Sequence, residues 1–331
     1  MKFPILALVA AALVLAGCSE APQAPAAKKK VILVTPEKIG VNPFFQQEAD
    51  GLTKAAAEAG LEAKVVESAD SASIETNLRA AVAEGYDLII TSSFESTDAL
   101  TKVAKENPGK QFAIVDTVVD LPNVRSVVFR EQEAAYLVGA VAGLVTKTNK
   151  VGIVVALDIP LLKKWTSGYT EGVKAVNPQA QVLVNYVGSF TDPAKAKEIA
   201  LQQFAAGADF INGAAAVGDL GVFDAAKEKG FHTSGQDVDR TVLDPEHVVI
   251  SQLKGTDTAV AQTVKDFAAG SFAAGTVAYG LKEDGVGVTY VTRETTTPLS
   301  SVVGQAVIDK VKAIKDDIVA GKVVVTDPLK P

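Results

Sequence analysis

The chain has 331 residues, 48% of them hydrophobic, which is enough apolar material for two ordinary domains once an N-terminal targeting segment is set aside. Its 39 acidic residues outnumber 32 basic ones, for a formal net charge of −7, and this balance excludes a nucleic-acid binder, which neutralises phosphates with lysine and arginine. A single cysteine excludes an intrachain disulfide, so stability has to come from the core.

Met1, Lys2 and Phe3 supply a short charged start, and an apolar run follows from Ile5 to Leu15. That run is shorter than the roughly 20 residues a helix needs to cross a bilayer, and it predicts a signal peptide over 1–17. Leu15-Ala16-Gly17-Cys18 resembles a bacterial lipobox, whose cysteine is acylated and becomes the new N-terminus; a plain secretory signal with a chance cysteine is the alternative. Residues 18–30, rich in Ala, Pro and Gln, predict an extended tether. Lys28, Lys29 and Lys30 at its end could touch anionic headgroups or form a solvated flank.

Strands and helices then alternate. Val31–Val34 is a continuous apolar run, as a strand buried on both faces requires. Helices are predicted over Phe44–Ala59, Ile74–Glu84 and Thr97–Glu106, and strands over Ala63–Val66, Leu88–Ile90, Phe112–Val115 and Val124–Phe129. Gly60 and Gly85 stop the first two helices. The rhythm restarts with helices over Gln132–Thr146, Leu161–Val176, Pro193–Ala206 and Leu220–Lys229. Between them lie strands over Val151–Val155, Gln181–Tyr186, Phe210–Ile211 and His232–Gly235. A crossing strand over Val248–Ser251 and a helix over Thr258–Ala268 follow. Strands joined by single helices demand right-handed crossovers and parallel pairing. The pattern predicts an α/β fold of two similar doubly wound parallel-sheet lobes.

Ligands of open parallel sheets bind beyond the carboxyl ends of the strands. Those ends are polar or aromatic here: Thr35 and Asn42-Pro43-Phe44-Phe45, Thr91-Ser92-Ser93-Phe94, Asp116-Thr117, Asp158, Asn185-Tyr186, Asn212 and Gln236-Asp237. Each alone reads first as a helix cap; their recurrence at one topological end of both series points to a binding cleft. Carboxylates and amides suit ligand hydroxyls, and aromatic faces suit planar rings or sugars. Enzyme signatures are missing from the sequence. Its two histidines, His232 and His247, form no metal set, and no Gly-x-Ser-x-Gly elbow occurs. Gly285-Val286-Gly287 lacks the strand-to-helix setting of a dinucleotide fingerprint. No cofactor and no metal are expected.

Phe129-Arg130-Glu131-Gln132-Glu133-Ala134-Ala135-Tyr136-Leu137, Asp158-Ile159-Pro160, Asn185-Tyr186-Val187-Gly188-Ser189-Phe190, Asp192-Pro193-Ala194-Lys195 and Gly221-Val222-Phe223-Asp224-Ala225-Ala226-Lys227 are the most specific stretches of the chain. Through them it resembles the basic membrane protein family of bacterial lipoproteins, purine-nucleoside-binding components of ABC transporters. The resemblance implies a type I periplasmic-binding-protein fold with three hinge crossings, near Arg130, Ser251 and Tyr290. The first lobe would hold 31–130 plus 252–290, and the second 131–251 plus 291–331. It also implies a monomer in the cell envelope, anchored by lipid at Cys18 and working with an ABC permease.

Carried over by matching positions, the resemblance implies ligand contacts at Phe44, Asp116, Asp237, Lys254 and Trp165, the last in place of a family phenylalanine that stacks on the base. A core role for Trp165 is the alternative. Asn42, Phe45 and Phe94 complete the expected set. The family's Asp-Lys-Ser-Phe-Asn-Gln is here Val41-Asn42-Pro43-Phe44-Phe45-Gln46, which loses an acid and replaces an asparagine by Phe45. Asn42-Pro43-Phe44-Phe45 also resembles sugar-binding proteins of the same fold. A purine-nucleoside receptor therefore stands beside a sugar or other solute receptor and a ligand-responsive signalling partner. Export is expected to yield a mature chain beginning at lipidated Cys18. Intact-mass analysis of membrane-extracted protein checks this, and an unmodified start elsewhere, in a host with lipoprotein processing, contradicts it.

Overall fold

The computed structural model describes residues 28–330. The expected signal peptide, Cys18 and the tether up to residue 27 lie outside the described residues. The chain forms β1 (Lys30–Thr35), α1 (Pro43–Glu58), β2 (Glu62–Glu67), α2 (Ser71–Ala83), β3 (Leu88–Ser92), α3 (Thr97–Glu106), β4 (Gln111–Val115) and β5 (Val124–Phe129). It continues with α4 (Glu131–Val145), β6 (Lys150–Val155), α5 (Pro160–Val176), β7 (Gln181–Tyr186), α6 (Pro193–Ala205), β8 (Phe210–Ala214), α7 (Asp219–Lys229) and β9 (His232–Asp237). It ends with β10 (Val248–Lys254), α8 (Thr256–Ala268), β11 (Gly275–Tyr279), β12 (Val286–Val288) and α9 (Gly304–Val319).

Two six-stranded sheets organise these elements, in the orders β11-β5-β4-β3-β1-β2 and β12-β10-β9-β8-β6-β7. Each order reverses direction beside its first strand, which is where a doubly wound sheet opens its crevice. The pairing is parallel apart from β12, which runs antiparallel to β10 at the edge of the second sheet. Val31 and Leu33 face one buried cluster and Ile32 and Val34 another, and in the second sheet Val151 and Ile153 face one and Val154 and Ile211 another, so both faces of each sheet are covered and the apolar runs are unbroken.

The lobes repeat one construction. In each, the helix after the first strand packs against the helix through which the chain arrives from the other lobe: α1 on α8, and α5 on α4. The approach is close enough to demand glycine. A methyl group at Gly51 would strike the Asp257 backbone, and one at Gly139 or Gly172 would strike the carbonyl oxygen of Tyr169 or Tyr136.

The chain passes between the sheets at Arg130, at Gly255 and within 280–285. The second and third passages therefore differ from the positions near Ser251 and Tyr290 implied by resemblance. β10 stays in the second sheet until Lys254 because its last residues pair with β12, Lys254 opposite Val286. That pairing also puts 252–254 and 286–290 with the second lobe. The passages are tied to one another. Arg130 pairs with Glu133 at 2.9 Å and with Glu283. The Glu133 carboxylate accepts the Leu281 N–H at 2.8 Å, and the Gly255 N–H donates to Gly285 O at 2.8 Å.

Candidate functional site

The cleft between the lobes lies at the carboxyl ends of both sheets. It holds about 580 Å³ of unfilled space, solvent at its mouth included. Every residue expected there lines it: Asn42, Phe44, Phe45, Phe94, Asp116, Trp165, Asp237 and Lys254.

Local sequence explains the placement. Asn42 caps α1 by accepting the Phe44 N–H at 3.1 Å, with Pro43 pre-set for the first helical turn. The cap fixes where the helix begins and so puts Phe44 and Phe45 at the cleft, their rings edge to face at 5.2 Å. Asn42 thus serves as a cap and as a cleft residue at once. Across the gap, the start of α5 supplies Leu161, Leu162 and Trp165, the last only 1% exposed. Trp165 belongs both to the core and to the cleft wall.

Four cleft residues hold left-handed backbones although none is glycine: Ser93 (φ 67°), Asp116 (φ 72°), Ala216 (φ 54°) and Asp237 (φ 67°). They fall in equivalent places, at or just past the ends of β3 and β4 in one lobe and of β8 and β9 in the other. Such conformations cost about 1–3 kcal/mol each and persist where the surroundings enforce them, as at ligand clamps. The turns at these strand ends bring all four residues to the cleft wall.

The deep end of the cleft is organised around Lys254. Its ammonium reaches Asp116 at 2.5 Å across the lobes and Glu131 at 3.0 Å. It also lies 5.3 Å from the Phe44 ring centre and 5.0 Å from that of Phe129. Burial opposes its charge, but Asp116, Glu131 and Asp237 together outweigh that and hold it above the ordinary lysine range. Glu131 takes its second cation from Lys164, which also donates to Phe129 O at 2.8 Å. Lys164 therefore points inward and leaves only Lys163 exposed beside Trp165. Burial pushes the Asp237 carboxyl up, against the pull of Lys254 and Arg240. Gln47 of α1 reaches over to the Asp237 carbonyl at 3.5 Å.

Of the other strand-end residues named from sequence, Ser93 and Gln236 line the cleft, whereas Asn212 and Asn185 do not. Asn212 is buried inside β8 and accepts from the Ser234 hydroxyl. Asn185 accepts from Gln203 at 2.9 Å, within the second lobe. Sequence reasoning missed Glu37, Glu95, Leu161, Leu162, Phe190 and Ala216 as cleft residues. Glu37 and Glu95 sit on turns, with no periodicity to mark them. Glu131 and Glu48, both fully buried near Lys254, were also missed. Burial lifts the Glu48 carboxyl well above the usual range, against a smaller pull from the neighbouring Ser92 hydroxyl.

A protein-family profile described as "ABC transporter substrate-binding protein PnrA-like" matches residues 28–325. The chain belongs to that family. As a substrate-binding protein of an ABC transporter it is a receptor and not an enzyme. It is 37% identical over 284 residues to a "CD4+ T-cell-stimulating antigen" of Listeria monocytogenes, covering 80% of this chain and 77% of the relative. It is 32% identical to the "ABC transporter nucleoside-binding protein BmpA" of Lactococcus lactis, over 98% of this chain and 99% of that one. Among solved structures, a solute-binding protein of an ABC transporter system from Aeropyrum pernix K1 superposes with a TM-score of 0.79 at 28% identity, covering 91% and 94% of the two chains.

Behind the second-lobe wall, Asp219 at the start of α7 accepts the Ala215 N–H at 2.8 Å and so fixes the turn that presents Ala216. Burial raises its carboxyl from an ordinary 3.8 to about 7, against the pull of that N–H and of Arg240. The folded protein keeps a proton there that the unfolded chain releases near pH 4. Wild-type stability therefore falls as pH rises from about 4 to about 7, by on the order of 4 kcal/mol from this group. Asp219→Asn keeps an acceptor for Ala215 and removes the titration. Denaturant melts at pH 4.5 and 7.5 should show a smaller pH difference for the variant; an equal difference contradicts the assignment.

Proposed function

We propose that the solute is a purine nucleoside, with the base between Trp165 and Phe44 and the ribose beside Asp237 and Lys254. The observation that carries this reading is the cleft's make-up: aromatic faces from both lobes, and carboxylates that outnumber the one lysine among its lining residues. A cleft stocked with acceptors suits a ligand rich in O–H and N–H donors and repels phosphate. The flat apolar walls suit a planar ring better than a free pentose. The name carried by the Lactococcus relative supports the same solute class. Binding would close the two lobes, with delivery to an ABC permease by a receptor held at the cell envelope through lipidated Cys18.

A second reading, a sugar receptor, is favoured by the Phe44–Phe45 pair, whose perpendicular rings could pack on the face and edge of a pyranose. Titration calorimetry with adenosine, guanosine, inosine, adenine, ribose and glucose separates the two. Nucleosides should bind more tightly than ribose. Stacking and a charge-assisted hydroxyl contact each contribute about 1–3 kcal/mol. Trp165→Ala should then weaken nucleosides about tenfold or more, and Asp237→Asn should weaken ribosides more than free adenine. Heat with the sugars alone would transfer the assignment to the second reading.

A further inference from the structure

The cleft has two chemically different ends, and the outer one carries a feature that the nucleoside reading leaves unexplained. Glu37, on the turn after β1, and Glu95, in the short turn Phe94–Ser96 before α3, both line it beside Asn42. Neither carboxylate forms an ion pair with a lysine, arginine or histidine among the described residues. Glu95 accepts from the Ser93 hydroxyl. Glu37 is half-buried; burial and then the charge of Glu95 push its carboxyl up, while the Asn42 amide pulls the other way. Glu37, half-buried and without a cation among the described residues, has its negative charge only partly compensated in the empty protein. A ligand that brings N–H donors supplies the rest.

Two further polar groups, each more than nine-tenths buried, line the same space. They are the side chains of Trp165 and Asp237, and the Asp237 carboxylate is drawn on by Lys254, Arg240 and the Gln236 amide. Half-buried Glu37 and exposed Glu95 thus stand at the mouth of a cavity whose deeper wall is buried.

Purine edges differ in what they offer such a pair. Guanine presents an acceptor at O6 and then parallel donors at N1 and the 2-amino group. Hypoxanthine presents the acceptor and one donor. Adenine presents a donor at its 6-amino group and a lone pair at N1. A carboxylate accepts two parallel N–H groups at once, and the Asn42 amide can donate to O6. Against adenine the same carboxylate meets the N1 lone pair.

Resting on the nucleoside reading above, we propose that Glu37, supported by Glu95 and Asn42, is a specificity-determining acceptor that selects 6-oxopurine nucleosides, in the order guanosine, inosine, adenosine. The family's usual base-contacting acid is replaced here by Val41, which is 73% exposed, so the acceptor comes from different turns.

Calorimetric titration of the full chain with these three nucleosides and with ribose tests this. Guanosine should bind about tenfold or more tightly than adenosine, with inosine between them. Glu37→Gln turns one acceptor into a donor and should lower the guanosine-to-adenosine ratio about tenfold; the Glu37→Gln/Glu95→Gln double variant should abolish it. Thermal melts confirm that the variants fold. Nucleoside binding in which adenosine equals or exceeds guanosine overturns this inference alone, as does a ratio unmoved in both variants. Binding of ribose with no nucleoside overturns the nucleoside reading and this inference with it.

Discussion

The buried ammonium of Lys254 is the contact on which the arrangement of the two lobes depends. It ends the last strand of the second sheet that precedes a passage, and its partner Asp116 follows a strand of the first. Removing one partner of such a pair leaves a buried charge uncompensated, at a cost of about 3–5 kcal/mol. The pair therefore ties the two lobes to each other deep in the cleft. Glu131, shared between Lys254 and Lys164, extends the same network to the Arg130 passage. The hinge and the floor of the cleft are parts of one electrostatic unit, and a solute that engages Asp116 or Lys254 acts on both.

Repetition gives the cleft its shape. Equivalent turns after equivalent strands supply Ser93 and Asp116 from one side and Ala216 and Asp237 from the other, all in left-handed conformations. Glycine would adopt that backbone freely, but only a side chain can offer a carboxylate at Asp116 and Asp237. Strain is accepted where chemistry needs the group. Asp219, protonated near neutrality and tied to the Ala215 N–H, supports one of those turns from behind.

Much of the fold was legible because burial on both faces leaves a continuous apolar run, and glycine or proline marks where each helix starts or stops. The cleft residues at strand ends were legible for a topological reason: a parallel sheet can present them only at its carboxyl edge. What was not legible had no periodic or positional signal. Glu37 and Glu95 lie on irregular turns, and Glu131 and Lys164 look like ordinary helix charges until the fold buries them against each other. β11 and β12 are short edge strands. α9 went unmarked although its buried Ile308, Val311 and Ile318 have helical spacing. The passages at Gly255 and 280–285 were displaced from expectation because a three-residue antiparallel pairing, invisible in sequence, decides where β10 ends.

The claim that most needs a direct measurement is that the solute enters between Trp165 and Phe44 at this cleft. Trp165 is the chain's single tryptophan, so tryptophan fluorescence comes from one wall of the cleft. Titration with guanosine should change its intensity or emission maximum saturably, at the dissociation constant that calorimetry gives, because the ring gains a stacking partner. Calorimetric binding of the nucleoside with no change in Trp165 emission would place the solute elsewhere and contradict the account.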